Sequence, residues 1–239
     1  MTSRDDIAVE ITPQVLLKAY SCGIFPMAEH ANDPALYWIE PQERGILPLD
    51  TFHVPKRLLR TVRRSPWQIK VDTDFDGVID GCACIKPSRK STWINNRIRA
   101  LYRELFKLGY CHTVEVWDEE DLIGGLYGVA LGGAFFGESM FSTARDASKI
   151  SLVHLCARLI EGGFTLLDTQ FVTEHLRQFG TIEVNRDTFQ ELLEDSLRET
   201  ADFNRLAFDV SAEKIVDIVT RTQALQGRDP LGDDDPSND

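Results

Sequence analysis

The sequence predicts an α+β fold, with a small N-terminal α/β domain over residues 1–54 and a larger mixed domain over 55–208. Three observations predict it. Runs at 113–117, 122–130 and 134–136 have the apolar, β-branched and aromatic character of strands, and Gly132-Gly133 between the last two suits a hairpin turn. Helical periodicity follows from about Ser148 to Gly162, with Gly163 after it. Another apolar run, Phe164 to Leu167, then resembles a buried strand and is followed by further helical pattern.

The elements can be justified in order. Thr12 is a natural N-cap, Pro13 suits the first helical position, and Gly23 suits the end of that helix. Gly23 to Met27 reads as an apolar turn, Tyr37 to Pro41 as extended, and Ile46 to Leu49 as a short strand. This first region is loop-rich, aromatic and too small to stand alone. Lys56, Arg57, Arg60, Arg63 and Arg64 fall along one side of a helix whose other side carries Leu58, Leu59 and Val62. Trp67 to Asp72 alternates like a strand, and Phe75 to Cys82 reads as a short helix. A basic loop, Lys86 to Thr92, leads through Trp93-Ile94 to a helix over about 96–108, ended by Gly109. Gly124, Gly125 and Gly128 inside a strand suggest a bulge or a close backbone approach. A short helix is expected near 173–179 and a helix near 187–199, and Ala212 to Leu225 reads as an extra amphipathic helix within 209–227. Residues 228–239 are rich in Asp, Pro and Gly and read as a disordered acidic tail. The order of strand, hairpin, helix, strand and helix is that of the acyltransferase fold shared by N-acetyltransferases, so the larger domain is expected to be N-acetyltransferase-like (GNAT-like).

Composition excludes several classes. Hydrophobic residues make up 43% of the 239, enough for a sizeable core. No apolar run reaches the roughly 18 residues of a membrane helix, and the polar N-terminus lacks the apolar stretch of a signal peptide, so a soluble cytoplasmic protein is expected. The five cysteines are an odd number without paired spacing, and Cys82-Ala-Cys84 is too tight for a zinc knuckle, so no disulfide framework and no metal site are expected. The net charge of −12 argues against a nucleic-acid partner until its distribution is considered. Residues 56–107 carry 13 of the 26 Lys and Arg against five acids, so that segment is +8 and the remainder −20. Binding of a polyanion responds to the local field. The 56–64 helix is therefore either a solvated basic face or a ridge that contacts phosphates.

Two acids, Glu138 and Asp168, interrupt stretches otherwise built for burial. A carboxylate in such a place is costly unless it is paired or used. Strand alternation turns Asp168 and Gln170 the same way. Both acids would equally serve as helix caps or internal ion-pair partners, and the residues alone leave that open. Trp93 beside a basic loop suits base or sugar stacking, or anchors the core. A coenzyme A donor is disfavoured, because Ser142 to Ser148 lacks the glycines of a pyrophosphate-binding turn. A serine hydrolase fails as well, since Gly137-Glu-Ser139-Met-Phe141 lacks the second glycine of the nucleophile elbow.

With these motifs in place, the chain resembles the leucyl/phenylalanyl-tRNA–protein transferases. The resemblance rests on Thr12-Pro13, Ala19-Tyr20, Gly23 to Pro26, Tyr37-Trp38, Pro41, Thr92 to Ile94, Glu115 to Trp117, Gly124 to Gly128, Phe136 to Ser142, Ala147 to Lys149 and Asp168 to Gln170. The Gly-Glu-Ser-Met-Phe-Ser block with Asp-x-Gln is its most specific part, and the match runs from about residue 11 to residue 197. It implies transfer of Leu, Phe or Met from aminoacyl-tRNA to the N-terminal Arg or Lys of an acceptor protein, marking that protein for N-degron degradation, with no metal, ATP or coenzyme. Trp38, Trp93 and Tyr102 match positions at the aminoacyl side chain and terminal adenosine, and Glu138, Asp168 and Gln170 match positions at the reacting amine. The family proposal has Gln170, polarised by Asp168, withdraw the proton. A neutral amide has almost no basicity, however, and an α-amine of pKa about 7.7–8.0 is already roughly a tenth neutral at pH 7. Positioning that fraction is the simpler role for Gln170, with Glu138 holding the cationic acceptor. Residues 198–239 depart from the family ending. A monomer is expected. The alternatives are a related transferase with another donor amino acid, an acyltransferase using another carrier, and a non-catalytic tRNA-binding module.

Overall fold

The computed structural model describes residues 11–85 and 91–224. Residues 1–10 of the first region, 86–90 of the basic loop, 225–227 at the end of the extra C-terminal segment and the tail 228–239 lie outside the described residues. The architecture is a mixed seven-stranded sheet with helices on both faces and a separate two-stranded ribbon.

Local signals place the first elements. Helix α1 (Pro13–Ser21) starts as expected, with the Thr12 hydroxyl accepting from Val15 N–H at 3.3 Å. Strands β1 (Phe25–Met27) and β2 (Tyr37–Ile39) pair antiparallel as the ribbon, with Pro26 opposite Trp38. The next strand was expected at 46–49 and is instead β3 (Glu43–Ile46). Although β3 falls within the first 54 residues, it is an inner strand of the main sheet.

Helix α2 (Lys56–Arg64), strand β4 (Gln68–Val71) and helix α3 (Phe75–Ala83) follow. Asp74 caps α3, and Asn95 caps α4 (Asn96–Lys107) through Ile98 N–H at 2.8 Å. Strands β5 (Cys111–Asp118), β6 (Asp121–Leu131) and β7 (Ala134–Ser142) form an antiparallel meander. The glycine-rich β6 does carry an irregularity between Tyr127 and Gly128. A Cβ at Gly128 would stand 2.4 Å from both the Phe135 ring and the Phe136 carbonyl oxygen, closer than real Cβ contacts come.

Helix α5 (Ala147–Gly162) crosses back to β8 (Leu166–Gln170), which runs parallel to β7. Helix α6 (Glu174–Arg177), strand β9 (Ile182–Asn185), α7 (Arg186–Arg198) and α8 (Ala212–Ala224) complete the described chain. The sheet order is β4-β5-β6-β7-β8-β3-β9, and only β7–β8 is parallel.

Alternation divides the core between the two faces. Phe135 and Leu167 join a cluster with α2, α5 and α8, where Ile215, Val216, Ile218 and Val219 form the apolar stripe expected of α8. Phe136 and Leu166 join the opposite cluster with α1, α3, α4 and α7. No helix of the described residues is long and apolar enough to cross a membrane, and no His/Cys/Asp/Glu group among them is arranged to hold a metal ion.

Candidate active site

The β7–β8 pairing ends at Phe136 opposite Asp168. Beyond that pair both strands contribute residues to the lining of a cavity of about 840 Å³. Met27, Trp93, Met140, Leu152, Leu155 and Leu176 supply much of its apolar wall, and Glu138 and Gln170 put polar groups on it. Mostly apolar walls with a few convergent polar groups are characteristic of small-ligand sites.

Glu138 projects from β7 toward α1 and α4. The Tyr20 hydroxyl donates to its Oε1 at 2.6 Å and the Tyr102 hydroxyl to its Oε2 at 2.9 Å. These two hydroxyls also contact each other. Burial pushes the Glu138 pKa up to about 7, and the nearby Asp168 charge adds to the rise. The two tyrosine hydrogen bonds and Arg44 oppose it. Burial, then the Glu138 charge, raises both tyrosines well above their ordinary value, so they stay protonated donors at neutral pH.

Asp168 is fully buried, and its partner is one the sequence did not reveal. Arg44, 1% exposed, donates from Nε to Oδ1 at 2.9 Å and from Nη2 to Oδ2 at 2.6 Å. Its Nη1 donates to the Gly23 carbonyl at 2.8 Å, and its guanidinium lies 4.6 Å from the Phe25 ring centre and 4.5 Å from that of Phe189. Asp168 also accepts from Gln170, at 2.8 Å from its backbone N–H and 3.3 Å from Nε2. Gln170 stands at φ 56°, a left-handed conformation uncommon outside glycine. The strand partner opposite is Gly45, where a Cβ would come within 2.7 Å of the Phe171 carbonyl carbon.

Glu115 is an acid as buried as Asp168, and it plays a different part. It accepts from the Thr73 and Asp74 backbone N–H groups, the Thr73 and Thr113 hydroxyls and the Trp117 indole. Burial works to raise its pKa, but these donors prevail and the net shift is downward. It ties β5 to the turn before α3, away from the cavity walls.

The other singled-out residues are distributed as follows. Trp93 lines the cavity. Trp38 is 40% exposed on β2, beside the strand that supplies Phe25 and Met27 to the cavity. Tyr102 is fully enclosed with its hydroxyl on Glu138, so it offers no face for stacking. Arg57, Arg60, Arg63 and Arg64 are exposed along α2 and Lys56 is half-buried, while Leu58, Leu59 and Val62 face the core. Arg57, Arg60, Arg64 and Trp67 border a shallow groove there. Sequence reading missed Arg44 entirely and gave Tyr20 no role.

A family profile described as leucyl/phenylalanyl-tRNA protein transferase matches residues 46–194, and the profile of that family's N-terminal domain matches residues 9–42. The chain belongs to the leucyl/phenylalanyl-tRNA–protein transferase family. It is 59% identical over 221 residues to a leucyl/phenylalanyl-tRNA–protein transferase of Rhodopseudomonas palustris strain HaA2, covering 92% of this chain and 99% of that protein. It is 58% identical to one of Afipia carboxidovorans, covering 94% and 100%, and 57% identical to one of Caulobacter vibrioides, covering 80% and 88%. Among solved structures, a C-terminal domain assigned to lysylphosphatidylglycerol synthetase from Agrobacterium fabrum overlaps with a TM-score of 0.38 at 13% identity, over 86% of this chain and 62% of that one. L-PGS from Bacillus licheniformis overlaps with a TM-score of 0.35 at 14% identity, over 88% and 70%. Both likenesses are loose.

Proposed function

We propose that this family member transfers Leu, Phe or Met from the 3′ end of an aminoacyl-tRNA to the N-terminal Arg or Lys of an acceptor protein, marking it for N-degron degradation. The observation that carries the proposal is the junction of an apolar cavity with a half-buried carboxylate and an oriented amide, Glu138 and Gln170. The apolar walls suit the donor side chain. The aminoacyl ester is already activated, so no further energy input is required. The neutral α-amine attacks the ester carbonyl, the tetrahedral intermediate collapses, and the ribose 3′-oxygen leaves. The amine loses one proton and the departing oxygen gains one.

Because Gln170 Nε2 is directed to Asp168, its Oε1 is the atom left to accept from the amine. Its role is to orient a nucleophile that is already partly neutral, a contribution of proximity. Glu138 holds the cationic acceptor, and Tyr102, expected at the donor adenosine, acts through Glu138 together with Tyr20. Trp38 and Trp93 stack on the terminal adenosine. Lys56, Arg57, Arg60, Arg63 and Arg64 contact acceptor-arm phosphates. The finer fold assignment, a GNAT-like domain, is part of the same reading and is supported by the parallel β7–α5–β8 unit beside the cavity. Soluble, cytoplasmic and monomeric operation is proposed with it.

The test is transfer of labelled Phe, Leu and Arg, each from its tRNA, to peptides beginning with Arg, Lys, Asp or Glu. Transfer of Phe and Leu to the Arg and Lys peptides alone is expected. Transfer of Arg to the acidic peptides would establish another donor, and tRNA binding without any transfer would establish a binding module.

A further inference from the structure

We infer that Arg44 is a positioning residue for the transfer reaction, holding the Asp168 carboxylate in the orientation that turns Gln170 Oε1 toward the cavity. The inference rests on the role of Gln170 proposed above. Three features carry it.

First, the pair is more elaborate than burial alone requires. Both Asp168 oxygens are taken by the Arg44 fork, Nη1 is anchored on the Gly23 carbonyl, and Phe25 and Phe189 rings pack against the guanidinium. A buried ion pair is weak evidence for stability, since apolar residues of similar volume often serve as well or better. Its retention beside the cavity calls for a use that shape alone does not meet.

Second, each Asp168 oxygen that accepts from Arg44 also accepts from Gln170. Oδ1 receives Arg44 Nε and the Gln170 backbone N–H, and Oδ2 receives Arg44 Nη2 and Gln170 Nε2. The carboxylate is thus a strut between guanidinium and amide. Its charge is shared with Arg44 and is not delivered whole to Gln170. This fixes which end of the amide faces the substrate, because the carboxylate accepts only from the NH₂ end.

Third, Gln170 sits in a backbone conformation that persists only when its surroundings hold it. The Asp168–Gln170 backbone bond supplies one constraint. The other is Gly45, the residue after Arg44, against which the turn at Phe171 and Val172 packs directly. Adjacent on one strand, Arg44 and Gly45 therefore bracket Gln170, Arg44 through Asp168 before it and Gly45 against the turn after it.

The experiment compares Arg44→Lys and Arg44→Gln with the parent enzyme in single-turnover transfer of Phe to an Arg-initiated peptide, at saturating donor and acceptor. Rates are scaled to the folded fraction read by circular dichroism. Each variant is also placed in a Gln170→Ala background. The expected result is a loss of roughly ten- to a hundredfold in the saturated rate for Arg44→Lys, with aminoacyl-tRNA affinity within about twofold. Arg44→Lys in the Gln170→Ala background should be no slower than Gln170→Ala alone, since the two act through one atom. Guanidinium at low millimolar concentration should accelerate Arg44→Gln, and urea at the same concentration should not.

A folded Arg44→Lys enzyme with the parent rate would overturn the assignment. So would a loss that appears only in donor affinity, or one that multiplies fully with the loss from Gln170→Ala. Failure of both variants to fold would make the pair a folding element and overturn the assignment as well. If Gln170→Ala alone has the parent rate, the reading of Gln170 is what fails.

Discussion

Replacing Glu138 with Gln should stabilise the protein while impairing it. The side chain keeps its shape, its amide oxygen still accepts from one of Tyr20 and Tyr102 while its NH₂ donates to the other phenol oxygen, and it can no longer ionise. In the folded protein burial lifts the carboxyl from an ordinary 4.5 to about 7, whereas the unfolded chain restores the ordinary value. The folded state therefore binds the proton more tightly between those values. The stabilisation is fully present below 4.5, declines as pH rises, and is lost once pH has passed through about 7. A shift of that size corresponds to about 3 kcal/mol at roughly 1.4 kcal/mol per unit. Equilibrium urea unfolding of parent and Glu138→Gln proteins should show a difference of about 1 kcal/mol near pH 5, growing to about 3 kcal/mol near pH 8 in favour of Gln. The same variant should lose about 2–4 kcal/mol of acceptor binding and turnover, the range for removing one partner of a partly buried charged pair. A stability difference that does not change with pH would refute the reasoning that Glu138 is held at a desolvation cost for use. Unimpaired transfer would remove Glu138 from the acceptor site.

Two further outcomes are expected. Tyr102→Phe removes a donor that lowers the Glu138 pKa, so the pH midpoint of acceptor binding should move upward while aminoacyl-tRNA affinity stays unchanged; a stacking role would weaken tRNA binding instead. Arg60, Arg63 and Arg64 changed together to Ala should weaken tRNA binding and flatten its log–log salt dependence by roughly two to three, with peptide affinity untouched, and an unchanged salt slope would show the α2 ridge to be a solvated surface.

The parts of the fold with local signals were legible in the sequence. Thr12-Pro13 started α1, Asn96 opened α4, the strand-like runs at 113–117, 122–130 and 134–136 gave the meander, and Gly163 closed α5 with φ 80°. The β3 strand was displaced to 46–49 in the reading because Glu43-Arg44 looks like exposed loop. Its charge is hidden by Asp168, 124 residues away, and no local pattern reports a partner at that distance. The β9 strand was missed for a related reason. Ile182-Glu-Val-Asn185 is short, half polar and at the sheet edge, and it is held by pairing with β3.

The candidate site was legible only in part. Glu138 and Asp168 stood out as acids among apolar neighbours, and the structure places both beside the cavity. Their different environments did not stand out. Burial shifts Glu138 upward against the hydrogen bonds of two tyrosines, and Asp168 is held in the fork of a guanidinium. Glu115 is as buried as Asp168, yet it is satisfied by local donors. Buried acids alone therefore do not identify chemistry. Tyr20 lies on the apolar side of α1, where a phenol reads as core, and its hydroxyl acquires meaning only when β7 brings Glu138 from 118 residues away.

The most direct measurement of the central claim is single-turnover transfer of Phe to an Arg-initiated peptide by the parent and Gln170→Ala enzymes, from about pH 6.5 to about pH 9, with spontaneous ester hydrolysis subtracted. If Gln170 orients an amine that solution has already deprotonated, the substitution should slow transfer by a similar factor at every pH. A loss that is large near neutral pH and disappears as the free amine deprotonates would make Gln170 a base and contradict the account.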